Sequence, residues 1–343
     1  MKTGRDLREV LVELNRQQAV KRDYISPSSA LSLRPDGRTF SMVEKTFSTT
    51  DLFHRQVASS LNIPAKYYDL MQAEKPDLLA ENVNAWMTTR DQNYMLRTMD
   101  GTARALLSDR YRRIDNLEVA GAILPLFAGM DGVEVMSCEV TESRLYLKVV
   151  NHRLEMACVG DRVQAGVVLS NSEVGLGAVS VQPLIYTLAC ANGMIVNSLG
   201  ERKTHVGRAA KGLEGFEMIS DETAEAEDKA FMLRLRDITM AAIDEVKFGM
   251  VVDTLAASAD AKITGRVQDV VELTGKEYGL NQGEQDGVLK YLIEGGDLSL
   301  YGLSNAVTRY SQDVESYDRA TSLEGLGWQI ATMGKNKWKE INA

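Results

Sequence analysis

The spacing of apolar residues changes along this chain, and these changes constrain its fold most. Apolar residues have helical spacing in residues 3–20 and 51–89, and a turn-rich stretch with short strands lies between these two segments. In residues 93–197 apolar and polar residues alternate as they do in strands. Helical spacing returns after residue 220. Asp100-Gly101 predicts a hairpin, because this dipeptide supplies the positive φ angles of a type I′ turn. Ala191-Asn192-Gly193-Met194 predicts a second hairpin turn, joining a strand over 187–190 to another over 194–197.

These patterns predict an α+β fold. An N-terminal mixed α/β domain with a largely antiparallel sheet, antiparallel hairpins and flanking helices is expected over residues 1–212, followed by an all-helical domain over 213–343. The boundary falls in residues 198–216, which carry four glycines and a basic cluster without a clear period, and which we interpret as an exposed loop.

Composition excludes several classes of protein. Of 343 residues, 44% are hydrophobic and 25% charged, which is ordinary for a globular protein. The three cysteines (Cys138, Cys158 and Cys190) form an odd, sparse set that argues against a disulfide framework and indicates a cytoplasmic protein. The longest apolar stretch, residues 119–130, is too short to cross a hydrocarbon core of about 30 Å, so no membrane role is expected.

The net charge of −9 is unevenly distributed. Residues 1–212 carry 26 Lys and Arg against 24 Asp and Glu, whereas residues 213–343 carry 13 against 24. The simpler interpretation is a solvated acidic surface on the helical part. The alternative is an interaction protein whose acidic helices mimic nucleic acid or dock on a host defence component.

Metal and nucleotide sites are not expected. His54, His152 and His205 are far apart, and no closely spaced ligand pair accompanies them, so we expect no metal and no cofactor. Gly175-Leu176-Gly177 lacks the spacing of a phosphate-binding loop.

One enzyme hypothesis stays open, although no catalytic residue can be assigned and the sequence favours a protein that is not an enzyme. Cys190 with His205 is the candidate nucleophile, but its apolar neighbours favour a packed strand end. Residues 170–175 interrupt two apolar strands with polar side chains, which predicts either a functional loop or a turn with satisfied hydrogen bonds. The candidate polar site comprises Asn171, Ser172, Glu173 and Asn192.

Basic residues interleaved with an aromatic residue suggest nucleic-acid binding. Single-stranded nucleic acid requires neutralised phosphates and stacked bases, which arginine and tyrosine side chains supply. The simpler alternative is that the arginines between residues 97 and 113 form ion pairs with nearby acids, such as Asp100, Asp109, Asp115 and Glu118. The candidate nucleic-acid-binding residues are Arg104, Arg110, Tyr111, Arg112 and Arg113, and in the glycine-containing loop Arg202, Lys203, Arg208 and Lys211.

Three segments carry a family resemblance. Residues 104–116 (RALLSDRYRRIDN), 170–175 (SNSEVG) and 190–194 (CANGM), with NAVTRY at 305–310, resemble the phage- and plasmid-associated proteins grouped as domain of unknown function 932. The resemblance covers about residues 30–330. The family carries no established activity, so the resemblance implies a setting in mobile genetic elements and transfers no catalytic residue.

The expected function is therefore that of a phage- or plasmid-encoded binding protein in the host cytoplasm. It is predicted to bind or anneal single-stranded DNA in recombination or replication. A homo-oligomer is expected by analogy with annealing proteins that form rings. A host protein partner, through the acidic helices, and an uncharacterised enzyme with a pocket near Glu173 and Cys190 are the alternatives.

Overall fold

The computed structural model describes residues 1–111, 113–177, 179–196, 221–242 and 245–342. It contains two sheets with flanking helices and a helical C-terminal part, which confirms the predicted α+β class. The helices are α1 (Leu7–Val20), α2 (Asp51–Ser60), α3 (Ala65–Glu74), α4 (Pro76–Thr89), α5 (Asn116–Ala128), α6 (Asp221–Ala242), α7 (Glu245–Ser258), α8 (Val267–Tyr278), α9 (Gln282–Gly295), α10 (Leu300–Tyr310), α11 (Tyr317–Ala331) and α12 (Lys335–Ile341). The strands are β1 (Arg22–Pro27), β2 (Leu31–Leu33), β3 (Thr39–Met42), β4 (Lys45–Thr49), β5 (Asn93–Met99), β6 (Thr102–Ser108), β7 (Val133–Val140), β8 (Leu145–Cys158), β9 (Asp161–Asn171), β10 (Ser180–Thr187) and β11 (Asn192–Ile195).

The first sheet has six strands in the order β1-β5-β6-β4-β3-β2, and only the β4–β6 pair among these is parallel. Its central hairpin is the one predicted at Asp100-Gly101, whose φ angles are 51° and 75°. Helices α2, α3 and α4 cover one face, around buried Phe40, Phe53 and Leu96.

The second sheet is antiparallel throughout its described strands, in the order β11-β10-β9-β8-β7. Helix α5 packs on one face, where Leu147, Leu169 and Ile123 share a core. Helix α11 lies against the other face, where the rings of Tyr146 and Tyr317 are 5.4 Å apart. The C-terminal helices therefore pack directly on this sheet.

Local sequence signals explain where several helices begin. Thr50 accepts a hydrogen bond from the N–H of Phe53 at the start of α2. Asp115 and Glu118 form a capping box that starts α5. At the other end of a helix, Gly296 takes the left-handed conformation (φ 69°) and terminates α9.

The predicted position of the turn in the second hairpin was wrong. Ala191, not Asn192-Gly193, takes the positive φ angle (51°), and Asn192 and Gly193 already belong to β11, paired with Thr187 and Tyr186. The left-handed residue therefore comes one position earlier than the Asn-Gly signal indicates. The loop predicted over 198–216 lies outside the described residues, and the division into two domains stays a prediction.

Candidate functional site

The polar segment after β9 turns inward between the two sheets. Asn171, Ser172 and Glu173 are all buried. Asn171 donates hydrogen bonds from its amide to the carbonyl of Ile114 (3.0 Å) and to the side chain of Asn116 (2.8 Å). The segment thereby ties the end of β9 to the start of α5.

The backbone of this segment also forms a turn. Ser172 Oγ accepts a hydrogen bond from the N–H of Leu176 at 3.1 Å. This serine turn was one of the two predicted alternatives. Asn171, Ser172 and Glu173 each form a hydrogen bond within the protein, and these bonds fix the segment in place.

Arg97 lies at the centre of a charge cluster between the sheets. Its side chain is 4% exposed, and its guanidinium contacts Asp23 (Nε to Oδ1, 2.9 Å), Asp115 (Nη2 to Oδ1, 2.9 Å) and the carbonyl of Glu173 (2.8 Å). Burial alone would lower the pKa of Arg97, but the hydrogen bonds to Asp115 and Asp23 outweigh it, so this pKa is raised above its ordinary value.

Glu173 adds a third carboxylate to the cluster. Its Oε1 accepts a hydrogen bond from the N–H of Asn116 at 2.7 Å and lies 3.4 Å from Lys21 Nζ, while its Oε2 lies 3.4 Å from Arg104 Nη1. Lys21 Nζ also contacts Asp115 Oδ2 at 2.6 Å. Among the described residues, three largely buried cations thus meet three carboxylates in what we call the inter-sheet cluster: Lys21, Asp23, Arg97, Arg104, Asp115 and Glu173.

The inter-sheet cluster is electrically balanced and mostly withdrawn from solvent. Burial acts to raise the pKa of Asp115, but its hydrogen bonds with Lys21 and Arg97 prevail and lower that pKa below its ordinary value. The same contacts that lower the pKa of Asp115 raise that of Arg97, so this pair is stabilised in its ionised form. The cluster joins the two sheets through paired charges.

Two predicted nucleic-acid-binding residues contribute to this interior. Arg104 is buried against Glu173, and its Nη2 donates to the carbonyl of Glu142 at 3.3 Å. Tyr111 is half-buried, and its hydroxyl donates to the carbonyl of Ser172 at 3.2 Å. Burial raises the pKa of Tyr111. These contacts hold the segment that follows β6 in place.

Arg110 and Arg113 lie on the surface. Arg113 is 58% exposed and contacts Asp23 Oδ2 at 3.3 Å. Arg110 is exposed at the rim of a cavity of about 670 Å³ between the end of α2, the residues before β5 and the end of β6. The predicted contacts Arg112, Arg202, Lys203, Arg208 and Lys211 lie outside the described residues.

Cys190 and Asn192 line a different cavity, of about 400 Å³, against α9 and α10. Burial raises the pKa of Cys190, which disfavours the thiolate that a nucleophile requires. Asn192 donates to the carbonyl of Asn305 (3.3 Å) and accepts from Gln312 (2.8 Å), so it anchors β11 to the helices. The structure does not bring Glu173 into this cavity, and His205 lies outside the described residues.

Comparison with known proteins identifies the family. The model of domain of unknown function 932 (DUF932) matches residues 104–322. The chain belongs to this family. No curated protein and no solved structure matches it.

The DUF932 match includes only part of the inter-sheet cluster. Arg104, Asp115 and Glu173 lie within it, whereas Lys21 and Arg97 precede it. The match also begins later than the expected start near residue 30. Half of the cluster (Lys21, Asp23 and Arg97) therefore precedes the matched region.

The structure also contains an ion pair that the sequence analysis missed. Lys148 and Glu324 are both fully buried, with Nζ 2.7 Å from Oε2, and Lys148 Nζ lies 4.5 Å from the ring centre of Tyr317. Burial lowers the pKa of Lys148, against the opposing effect of Glu324. A signal was present, because Lys148 stands in the apolar strand Leu147-Lys148-Val149.

The described residues give no metal centre and no membrane helix. In the described ranges, no group of three or more His, Cys, Asp or Glu side chains is placed to hold a metal ion. His54 contacts Thr49 and Tyr68, and His152 contacts Gln164 and Glu134. Across the same residues, the helices are too short or too polar to span a bilayer.

The acidic helical part is interleaved with basic residues. Among the described residues, Glu284 pairs with Arg319 (2.7 Å), and other acids of α8–α12 contact lysines or arginines of the same helix or a neighbouring one. These pairs offset part of the acidic charge. They favour the interpretation of a solvated helical surface.

Proposed function

We propose that this protein is a phage- or plasmid-encoded protein that binds single-stranded DNA, as a homo-oligomer, in recombination or replication. The setting comes from the resemblance of the DUF932 family to mobile-element proteins. The observation that carries the proposal is the position of Arg110, exposed at the rim of a polar cavity. Arg113 lies three residues further along the same anchored segment.

The cavity beside Arg110 suits a nucleobase. Its lining includes the neutral hydrogen-bonding side chains of Ser59, Ser60, Gln92 and Asn93, which can donate to and accept from base edges. Its volume of about 670 Å³ lies in the range of small-molecule sites. Unstacked bases of single strands are read in this way, whereas duplex bases are not accessible.

The electrostatics limit how many phosphates this surface can hold. Asp91 and Asp109 also line the cavity, and Arg113 already contacts Asp23. We therefore assign at most two phosphate contacts, Arg110 and Arg113, to the described residues. Any larger number depends on Arg112 and on the basic residues between 202 and 211.

Salt dependence measures this number. For single strands the slope of log K against log salt is about −0.7 for each phosphate neutralised, so two contacts predict about −1.4 and all seven proposed arginine and lysine contacts outside the inter-sheet cluster predict about −4.9. Fluorescence anisotropy of a labelled oligonucleotide over a salt series gives the slope directly.

Substituting the two exposed arginines tests the site. We expect Arg110→Ala with Arg113→Ala to weaken binding by about tenfold at low salt and to make the slope shallower by about 1.4. Arg153→Ala is the matched control, because Arg153 is similarly exposed (66%), contacts an aspartate (Asp131) as Arg113 does, and does not line the cavity. Equal binding by the double variant and the control would contradict the assignment.

A further inference from the structure

A polar cleft of about 760 Å³ lies between the second sheet and α11. Its floor comes from neighbouring positions of adjacent strands, since Tyr146 is paired with Ser170 and Ser170 with Ser180. Helix α11 forms the opposite wall, and Arg144 and Leu176 lie at the rim. The α11 residues at the cleft are Asp318, Thr321, Ser322, Gly325 and Gln329.

The cleft contains one cation and one carboxylate that are not paired with each other. Arg144 donates a hydrogen bond to the carbonyl of Leu176, and none of the ion pairs among the described residues involves Arg144. Asp318 accepts from Thr141 Oγ1 at 3.2 and 3.3 Å. Burial, followed by the charge of Asp318 and a hydrogen bond with it, raises the pKa of Tyr146, so Tyr146 and Asp318 interact with each other in the cleft.

Glycine at position 177 leaves room for the guanidinium of Arg144. Its φ of 131° disfavours any residue with a side chain, and a Cβ atom there would lie 3.1 Å from Arg144 Nη2. The polar segment after β9 therefore contributes residues to two separate places in the fold. Glu173 enters the inter-sheet cluster, whereas Ser170 and residues 176–177 line the cleft.

The carboxylate, guanidinium and hydroxyl groups of the cleft together favour one class of ligand. Carboxylate oxygens only accept, a guanidinium only donates, and hydroxyls do both. Vicinal hydroxyls of a ligand also donate and accept at once, so they match this set. A phosphate beside Asp318 would be repelled, and an ammonium group beside Arg144 would be repelled likewise.

We propose that the cleft between the second sheet and α11 binds a neutral small molecule that carries vicinal hydroxyls. Saccharides and ribonucleosides share this chemistry. The proposal is independent of DNA binding at Arg110, because the two cavities share none of their lining residues.

Ligand-observed NMR with the full-length chain tests this proposal. The probes are maltose and sucrose for saccharides, adenosine and cytidine for nucleosides, and glucose 6-phosphate as the charged comparison, each at millimolar concentration. We expect saturation transfer to at least one neutral probe and weaker transfer to the phosphate. Signal from sugars alone or from nucleosides alone identifies the source of the hydroxyls, and each 2′-deoxynucleoside should bind less tightly than its ribonucleoside.

Filling the cleft should abolish this binding. Ser322 is exposed on α11, so Ser322→Phe places a ring in the cleft without disturbing the core, and we expect the Kd to rise at least about tenfold. Thr332→Phe is the control, because Thr332 is exposed at the end of the same helix and does not line the cleft. Circular dichroism confirms folding of both. Absence of binding by the wild-type chain to every neutral probe, or unchanged binding by the folded Ser322→Phe variant, overturns the proposal.

Discussion

Replacing Glu173 by glutamine is expected to lower the free energy of unfolding by about 3 kcal/mol, because removing one partner from a buried ion pair leaves uncompensated charge. The amide keeps the shape of the side chain, but Lys21 and Arg104 lose the carboxylate that they contact at 3.4 Å. The carbonyl of residue 173 would still accept from Arg97. Urea denaturation followed by circular dichroism measures the loss.

Glu142→Gln is the matched control for this substitution. Glu142 is exposed, and only its backbone carbonyl contacts Arg104, so its free energy of unfolding should change by less than about 0.5 kcal/mol. Adding Arg104→Met to Glu173→Gln should restore part of the loss, since the unpaired cation is then removed. A loss below about 1 kcal/mol for Glu173→Gln would contradict the structural role of the inter-sheet cluster.

Replacing Lys148 by methionine should cost about 4 kcal/mol of stability, within the range known for breaking a buried pair. The variant leaves Glu324 as a buried carboxylate that has lost its contact at 2.7 Å. Methionine fills a similar volume, so the cost is electrostatic rather than a cavity effect. Urea denaturation again provides the measurement.

The double variant separates the charge from the packing. With Lys148→Met and Glu324→Met together, we expect stability within about 1 kcal/mol of the wild-type value, because an apolar pair needs no compensation. Lys290→Met serves as the exposed comparison, since Lys290 is 61% exposed and 4.0 Å from Glu294, and it should cost less than about 0.5 kcal/mol. A double variant as unstable as Lys148→Met would show that the charges themselves are required.

Local chemistry made much of the fold predictable. The hairpin at Asp100-Gly101 depends on neighbouring residues alone, and it was predicted correctly. The turn before β11 was not, because Ala191 adopts a conformation for which alanine has no preference. The strand pairing around it determines that conformation.

The inter-sheet cluster was less predictable, because its members are distant in the chain. Nearby acids were one predicted set of partners for the arginines, and Arg97 does contact Asp115. Lys21 and Asp23 could not be identified, since no local pattern relates β1 to the segment after β9. The polar cleft could not be predicted for the same reason, because α11 approaches Tyr146 and Ser170 only in the folded chain.

Native mass spectrometry with and without a single-stranded oligonucleotide tests the central proposal most directly. We expect an oligomer that gains the mass of bound oligonucleotide at low salt and loses it in the variant with Arg110→Ala and Arg113→Ala. A mass that oligonucleotide leaves unchanged at low salt would contradict it.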